Sequence, residues 1–129
     1  LAGNGQPPEL VWTSEKPGPQ EPSPLYYRGL LYVLMDNGVM ACFDGKTGKE
    51  FYRVRLGGAC NSSPIASDGR IYLSNNEGET FVVKAGNQFE LLGTNTLGER
   101  ITASPAVSGN DVFYRTDSHV YCIGEKTGR

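Results

Sequence analysis

The residues best suited to carry chemistry are three cysteines and a single histidine: Cys42, Cys60, Cys122 and His119. A zinc site needs three or four converging Cys, His or carboxylate ligands, and none of these cysteines forms a C-x-x-C pair. His119 is also the only base that a Ser-His-Asp or Cys-His catalyst could use. The sequence therefore predicts neither a catalytic group nor a metal site.

The cysteines are better explained as packing residues. Three cysteines cannot all pair within one chain, so no disulfide framework is expected. Cys42 and Cys122 lie in apolar runs, where a free cysteine behaves as a small buried hydrophobe. Cys60 follows Gly57-Gly58-Ala59, and this Gly-rich loop favours an exposed thiol whose reactivity the sequence leaves open.

The composition is that of one soluble globular unit. The chain has 129 residues, 38% hydrophobic and 20% charged, with a formal net charge of -2. This balance argues against nucleic-acid binding and a polybasic membrane surface, and no apolar run reaches the ~18 residues of a membrane span. The first residues lack a signal peptide and do not begin with Met, so we interpret the chain as a piece of a longer protein.

The strongest signal for the elements that position these residues is an internal repeat. Ser23-Pro24, Ser63-Pro64 and Ser104-Pro105 place their prolines 40 and 41 residues apart. An aromatic residue follows each proline eight positions later, as Tyr32, Tyr72 and Phe113. Repetition at one phase every ~40 residues is typical of modular repeat folds.

Each repeat contains four short segments with β-strand composition. Two apolar runs flank a polar turn, which is the pattern of a β-hairpin, and the turns are 36–38, 76–78 and 116–118. A Gly-rich turn then leads to a fourth strand, predicted around 9–12, 50–53 and 90–92. Equivalent positions 40 residues apart are marked by Trp12, Tyr52 and Leu92.

Four strands per repeat without helical periodicity predict an all-β fold made of β-propeller blades. A β-sandwich also uses short strands, but it has no reason to repeat the same residues at the same phase. We therefore predict a β-propeller fragment of about three four-stranded blades in a single domain, 1–129. The repeats are approximately 9–49, 50–89 and 90–129, each starting with an outer strand.

Residues 37–52, NGVMACFDGKTGKEFY, resemble the repeat of the pyrroloquinoline-quinone (PQQ)-like propellers, written D-G-x-L-Y-A-L-D-A-x-T-G-K-x-x-W. The match is closest in the first repeat; Thr47-Gly48 recurs as Thr127-Gly128 but is lost in the middle copy. The family contains quinoprotein dehydrogenases, which carry PQQ and Ca²⁺ on the central axis. It also contains the non-catalytic lipoprotein of the bacterial β-barrel assembly machinery. The resemblance implies blade type rather than activity.

The predicted strand order indicates a C-terminal fragment of a longer propeller. With the strands of a blade called A to D from axis to rim, the chain supplies D, then A-B-C-D twice, then A-B-C. Three blades do not close a ring, because propellers have at least about four. Two blade faces are then expected to be open. Exposed apolar faces favour self-association, with a six-bladed homodimer as one form.

Two sets of loops are expected to gather on one face of the disc, the D-to-A connections and the B-to-C turns. Loops on a rigid scaffold are frequent binding sites, although the same residue types are also good turn formers. The candidate ligand or partner face consists of Asp36, Asn37, Cys60, Asn61, Asn76, Glu77, Arg100, Asp117 and His119.

The resemblance implies functions of different classes. The first is a non-catalytic scaffold that binds a protein partner or ligand, without a cofactor, in the periplasm or outside the cell. The alternative is part of a PQQ-dependent alcohol or sugar dehydrogenase, which would need PQQ and calcium. Those enzymes are rich in Trp and hold a disulfide of adjacent cysteines, whereas this chain has one Trp and no adjacent cysteines. A sensor propeller attached to another domain also fits.

Overall fold

The computed structural model describes residues 5–125, and every regular element in that range is a β-strand. The strands form three antiparallel sheets of four, four and three strands. The predicted all-β propeller fold is confirmed by this arrangement. No helix long and apolar enough to cross a bilayer occurs between residues 5 and 125.

Each sheet is one blade, built from strands that are consecutive in the sequence. Blade 1 contains β1 (Leu25–Tyr27), β2 (Leu30–Leu34), β3 (Val39–Asp44) and β4 (Glu50–Arg55). Blade 2 contains β5 (Ile65–Ser67), β6 (Arg70–Ser74), β7 (Glu79–Lys84) and β8 (Leu91–Thr96). Blade 3 contains β9 (Ala106–Ser108), β10 (Asp111–Arg115) and β11 (Val120–Ile123). Because β1 lies against β5 and β5 against β9, the first strand of each blade is the innermost.

The two central strands of blade 1 are apolar almost throughout, because neighbours bury both of their faces. β2 reads LLYVL and β3 reads VMACFD, and most of their residues are buried. A short continuous apolar run bounded by turns is typical of a strand buried on both faces. The turn between β1 and β2 consists of Arg28 and Gly29, both with positive φ, as a type I′ hairpin requires.

The outer strands of blades 1 and 2 differ in register by one residue. Cys42 pairs with Tyr52 in blade 1, whereas Val82 pairs with Gly93 in blade 2. The connection from β7 to β8 is one residue longer than that from β3 to β4. The counterpart of Tyr52 is therefore Gly93, and its predicted equivalence with Leu92 is wrong. The second Thr-Gly pair of the sequence, at 127–128, lies outside the described residues.

The outer strand predicted at 9–12 is also wrong, because residues 9–24 form no strand. A strand needs a hydrogen-bonding partner strand, and the described residues place none beside this segment. Trp12 nevertheless packs on blade 1. Its Nε1 donates a hydrogen bond to the Gly45 carbonyl at 3.2 Å, and a Cβ added to Gly48 would lie 2.6 Å from the indole ring. We call residues 9–21 the leading segment.

The leading segment corrects the prediction of two open blade faces. The face of blade 1 that points away from blade 2 carries a cluster of four buried apolar residues: Val33, Met35, Ala41 and Phe43. Residues 17–19 of the leading segment lie beside this cluster and line with it a cleft of about 290 Å³. This face is therefore largely covered, and the open face of the described fragment belongs to blade 3.

Blade 3 exposes the apolar residues that the other blades bury. Phe113 is 37% exposed, Ile123 44% and Val120 77%. Cys122 is exposed, whereas Cys42 at the equivalent position is fully buried. The expected burial of Cys42 is thus confirmed and that of Cys122 is wrong. The reason is that neither a fourth strand nor a further blade lies beside β11 in the described range.

The main core lies between blades 1 and 2. Eight buried residues from the two blades and the loop between them form it: Tyr32, Leu34, Met40, Cys42, Cys60, Ile71, Leu73 and Val83. The hydroxyl of Tyr32 also accepts a hydrogen bond from the Gly86 N–H at 2.8 Å. This junction is the rigid base for the loops described next.

Candidate functional site

The predicted site residues lie on one face of the fragment, which we call the loop face. It comprises the turns 35–38, 75–78 and 116–119 and the interblade loops 56–64 and 97–105. The Cys60 N–H donates to the Asp36 carbonyl at 2.9 Å, and the Asn76 N–H donates to the Ala59 carbonyl at 2.8 Å. Loop 56–64 is therefore hydrogen-bonded to the turns of both blades that it joins.

Two glycines allow the interblade loops to approach these turns. Gly38 and Gly78 have φ values of +82° and +85°, which L side chains rarely adopt. A Cβ on Gly38 would lie 2.3 Å from the carbonyl oxygens of Gly57 and Gly58. A Cβ on Gly78 would lie 2.2 Å from the carbonyl oxygen of Glu99. The Asn-Gly and Glu-Gly turns of the repeat thus fix the spacing of the loop face.

Asp36 holds the leading segment in place. Its carboxylate accepts hydrogen bonds from the backbone N–H groups of Gln20, at 2.7 Å, and Glu21, at 3.0 Å. These bonds, the one from Gln20 foremost, lower the pKa of Asp36 because they stabilise the ionised form. Both carboxylate oxygens therefore already have protein donors.

Asn61 and Asn76 form a chain of polar side chains with Glu21. The Asn61 amide donates to the carboxylate of Glu21, and the Asn76 amide donates to Asn61 Oδ1. The three residues come from the leading segment, an interblade loop and a turn of blade 2. The chain therefore joins the inner part of the loop face across two blades.

A ladder of serines runs beside this chain at the innermost strands. The Ser23 N–H donates to Ser63 Oγ at 2.9 Å, and the Ser63 N–H donates to Ser104 Oγ at 2.8 Å. The repeated Ser-Pro pairs thus link successive blades around the axis. These contacts give the repeat a structural reason to keep a hydroxyl at Ser63 and Ser104.

Cys60 is a packing residue rather than an accessible thiol. It is only 4% exposed and belongs to the core between blades 1 and 2. Burial raises the pKa of its thiol to about 11, which keeps it protonated at neutral pH. The expectation of an exposed loop cysteine is wrong because the Gly-rich loop folds inward against Asp36.

Asn37 and Glu77 hold equivalent turn positions and expose their side chains. Asn37 Oδ1 accepts the Val39 N–H at 3.2 Å, and the Asn37 carbonyl accepts a hydrogen bond from Arg55 at 2.7 Å. The Glu77 carboxylate lies beside Gly58, where an added Cβ would be 2.7 Å from Oε1. Both side chains stand on backbone that is held by the neighbouring loop.

The third part of the loop face contains an acid and imidazole pair. His119 Nδ1 lies 2.8 Å from Glu99 Oε1, and the Thr116 hydroxyl donates to the other oxygen of Glu99. These contacts, that of Thr116 first, lower the pKa of Glu99. The Asp117 N–H donates to the Arg100 carbonyl at 3.2 Å. The side chains of Arg100, Asp117 and His119 are exposed.

Sequence reasoning missed Asn75 and Glu99, which organise two of these turns. Asn75 is fully buried, and its Oδ1 accepts the N–H groups of Glu77, at 3.0 Å, and Glu79, at 2.9 Å. An Asn that opens a turn is a recognised Asx-turn signal. Glu99 carried no such signal, because its partner His119 is 20 residues away and is brought close only by the fold.

The loop face presents acid, amide, imidazole and guanidinium side chains. No group of three or more His, Cys, Asp or Glu side chains in residues 5–125 is arranged to hold a metal ion. Ca²⁺ takes six to eight oxygen ligands, but protein donors already engage the carboxylates of Asp36, Glu21 and Glu99. These three carboxylates are therefore already occupied by protein donors and do not fit a calcium-bound quinone.

Blade architecture and repeat pattern together define a segment of a β-propeller with PQQ-like repeats. A family model described as outer membrane protein assembly factor BamB matches residues 6–90. The chain belongs to this family of PQQ-like propellers. No curated protein sequence matches the chain.

Solved structures share the fold. BamB from Moraxella catarrhalis is 16% identical with a TM-score of 0.67, over 82% of this chain and 34% of its own. The quinohemoprotein alcohol dehydrogenase ADHIIG from Pseudomonas putida HK5 is 16% identical with a TM-score of 0.67, and the match covers 84% of this chain and 19% of that structure. A europium-containing methanol dehydrogenase is 15% identical with a TM-score of 0.52, and the match covers 57% of this chain and 15% of that structure. These likenesses show the fold alone, and the chain spans 34% or less of each structure.

Proposed function

We propose that this chain is a non-catalytic scaffold segment whose loop face binds a protein partner. The observation that carries the proposal is a rim of exposed polar side chains on turns fixed by hydrogen bonds between blades: Asn37, Glu77, Arg100, Asp117 and His119. Because backbone hydrogen bonds already order these turns, their backbone loses little conformational entropy on binding. Their mixture of acid, amide, imidazole and guanidinium suits the polar surface of a polypeptide.

The matched family supports a polypeptide as the partner. Its description, outer membrane protein assembly factor, names a role in assembling proteins. We extend that role to the propeller that contains this chain. The proposal accordingly includes no cofactor, a periplasmic or extracellular location, and self-association through the blade face left open.

The competing function is part of a PQQ-dependent alcohol dehydrogenase, favoured by the likeness to ADHIIG. Such a site would need free carboxylate oxygens on the axial loops to bind calcium. The hydrogen bonds that the Asp36 and Glu21 carboxylates accept favour the scaffold instead. Adding PQQ and Ca²⁺ to the purified chain is expected to give no dye-coupled alcohol oxidation, and a gain of activity would overturn the proposal.

Site-specific photo-crosslinking tests the partner surface. A photoreactive amino acid replaces Glu77 on the loop face or, as the matched control, the exposed Lys46 on the opposite side of blade 1. The chain is then expressed in the periplasm of a Gram-negative host. We expect a discrete protein adduct from position 77 and none from position 46. Equal adducts at both positions, or none at 77, would contradict the proposal.

A further inference from the structure

We propose that strand β8, the outer edge of blade 2, binds an extended segment of a partner polypeptide as an added β-strand. The inference rests on the proposed scaffold function and deepens it by naming the conformation in which the partner binds. β8 ends at the loop face, where the Leu97 N–H donates to the Gly78 carbonyl at 3.0 Å. A strand on this edge would therefore lead directly to the turn that carries Glu77.

The backbone of β8 has hydrogen-bonding groups that its own sheet does not use. Blade 2 contains all four of its strands, and β8 pairs with β7 alone among the described residues. In an antiparallel pair, residues that exchange hydrogen bonds alternate with residues that do not. Alternation from the Leu97 bond makes Asn95 and Gly93 the residues that exchange bonds with β7. The N–H and C=O groups of Thr94 and Thr96 therefore point to the open edge.

The outer strand of blade 1 carries charge at the positions where β8 has none. Charged side chains on an edge strand are a common protection against the addition of another strand. β4 reads EFYRVR, whereas β8 reads LLGTNT. In the register of the two blades, three charged residues of β4 correspond to three uncharged residues of β8: Glu50 to Leu91, Arg53 to Thr94 and Arg55 to Thr96. The edge of blade 2 therefore lacks the protection that the edge of blade 1 has.

Apolar side chains at the start of β8 provide a contact surface for the added strand. Phe89, Leu91 and Leu92 are 36%, 46% and 47% exposed. The ring of Phe89 packs edge-on against Tyr52 of blade 1, with 5.7 Å between the ring centroids, so this surface is held in place. Strand addition combines main-chain hydrogen bonds with side-chain contacts of this kind. The partner segment is therefore expected to be extended, uncharged and rich in β-branched residues.

Hydrogen exchange with a synthetic peptide tests the hydrogen-bonding pattern. The probe is a peptide of alternating valine and threonine with a lysine at one end and a glutamate at the other. At saturating peptide we expect the amides of Thr94 and Thr96 to exchange at least about tenfold more slowly. Those of Gly93 and Asn95 should be unchanged, because β7 already binds them. Equal slowing at all four positions, or none at Thr94 and Thr96, would overturn the inference.

Two matched comparisons separate strand addition from a general apolar contact. The same peptide with every second amide N-methylated keeps its side chains but loses its donors, and its affinity by fluorescence anisotropy should fall at least about tenfold. The double variant Thr94→Arg, Thr96→Arg gives β8 the charges of β4 and should weaken binding by a similar factor. The control Asn87→Arg, Gln88→Arg adds the same charge to the exposed β7–β8 connection and should bind normally. Unchanged affinity in the first two tests, or an equal loss in the control, would contradict the proposal.

The remaining outcomes distinguish this inference from its alternatives. If a second copy of the chain occupied the edge, the amides of Thr94 and Thr96 would be protected without peptide and more so at higher chain concentration. That result would contradict a separate polypeptide as the occupant. Failure of the peptide to bind, with the Glu77 adduct still formed, removes only this inference. Peptide binding without the adduct removes only the proposed partner function.

Discussion

The junction between blades 1 and 2 and the junction between blades 2 and 3 are built from the same repeat but are packed differently. At the first, Tyr32, Met40 and Cys42 are completely buried against blade 2. At the second, Ile123 remains 44% exposed, and a cleft of about 470 Å³ opens between the blades on the side opposite the loop face. The first junction is therefore expected to dominate the stability of the fragment.

A change of two side chains accounts for much of this difference. At the first junction, Tyr27 extends from blade 1, its hydroxyl accepts the Gly69 N–H at 3.0 Å, and Arg28 stacks 5.1 Å from its ring. The same repeat positions in blade 2 are Ser67 and Asp68, which line the open cleft. The motif residues thus specify a blade, whereas side chains outside the motif determine how tightly blades pack.

Thiol labelling should give the largest contrast between the two ends of the fragment. Cys42 and Cys60 are buried at the first junction, and burial raises the pKa of each to about 11. Cys122 on blade 3 is exposed. At pH 8 we expect iodoacetamide to modify Cys122 about a thousandfold faster, because the buried thiols react only after local opening that costs roughly 4 kcal/mol or more. Mass spectrometry of the three sites checks this, and comparable labelling of Cys60 would contradict it.

Gly38→Ala should lower the free energy of unfolding by about 2–5 kcal/mol. Of this, about 1–2 kcal/mol comes from the positive φ and about 1–3 kcal/mol from overlap with the Gly57 and Gly58 carbonyls. Gly29→Ala is the matched control, because its φ is +81° but no atom lies within 4 Å of the added Cβ. Gly29→Ala should therefore lose only the about 1–2 kcal/mol of unfolding free energy that comes from the positive φ. Equal losses in urea unfolding would show that the loop contact contributes nothing.

The variants Tyr32→Phe and Tyr72→Phe compare the two junctions directly. Removing the Tyr32 hydroxyl leaves the Gly86 N–H without its acceptor, at a cost of about 1–2 kcal/mol. Tyr72 is half-buried and lines the clefts between blades 2 and 3, so the loss of its hydroxyl should cost only about 0.5 kcal/mol or less. Urea unfolding of both variants checks the order, and a larger loss for Tyr72→Phe would reverse the proposed ranking of the junctions.

The pH dependence should show the smallest effect. Hydrogen bonds from Gln20 and Glu21 lower the pKa of Asp36 below its ordinary value of 3.8. A lowered folded-state pKa gives stability that is present above pH 3.8 and is lost as the pH falls through the folded value. We expect Asp36→Asn to reduce stability at pH 7 and to flatten the decline below pH 4. If the free energy of unfolding of Asp36→Asn declined below pH 4 as steeply as that of the unmodified chain, this role for Asp36 would be ruled out.

The fold followed from the sequence because backbone pairing depends on local patterns. The alternation of apolar runs with turns such as Asn37-Gly38 determines the hairpins, and the 40-residue phase determines the blades. The burial of individual side chains, which depends on the neighbouring strands and loops, did not follow from the sequence. The exposure of Cys122 reflects a missing strand beside β11, and the burial of Cys60 reflects an inward loop.

The candidate site was also only partly predictable from the sequence. The turn residues Asn37, Glu77 and Asp117 were identified because turn chemistry is local. The pairing of Glu99 with His119 and the contact of Asn61 with Glu21 were not, since each joins residues 20 or 40 positions apart. Residues 9–12 were misassigned as a strand because β propensity alone does not supply a partner.

Native-state hydrogen exchange tests the central claim, that the first junction is the stable core and blade 3 the weakly held end. The account predicts that amides of β2, β3 and β6 exchange only through global unfolding, whereas those of β10 and β11 exchange by local opening at least about a hundredfold faster. Uniform protection across all three blades would contradict it, because the two junctions would then contribute equally to the fold.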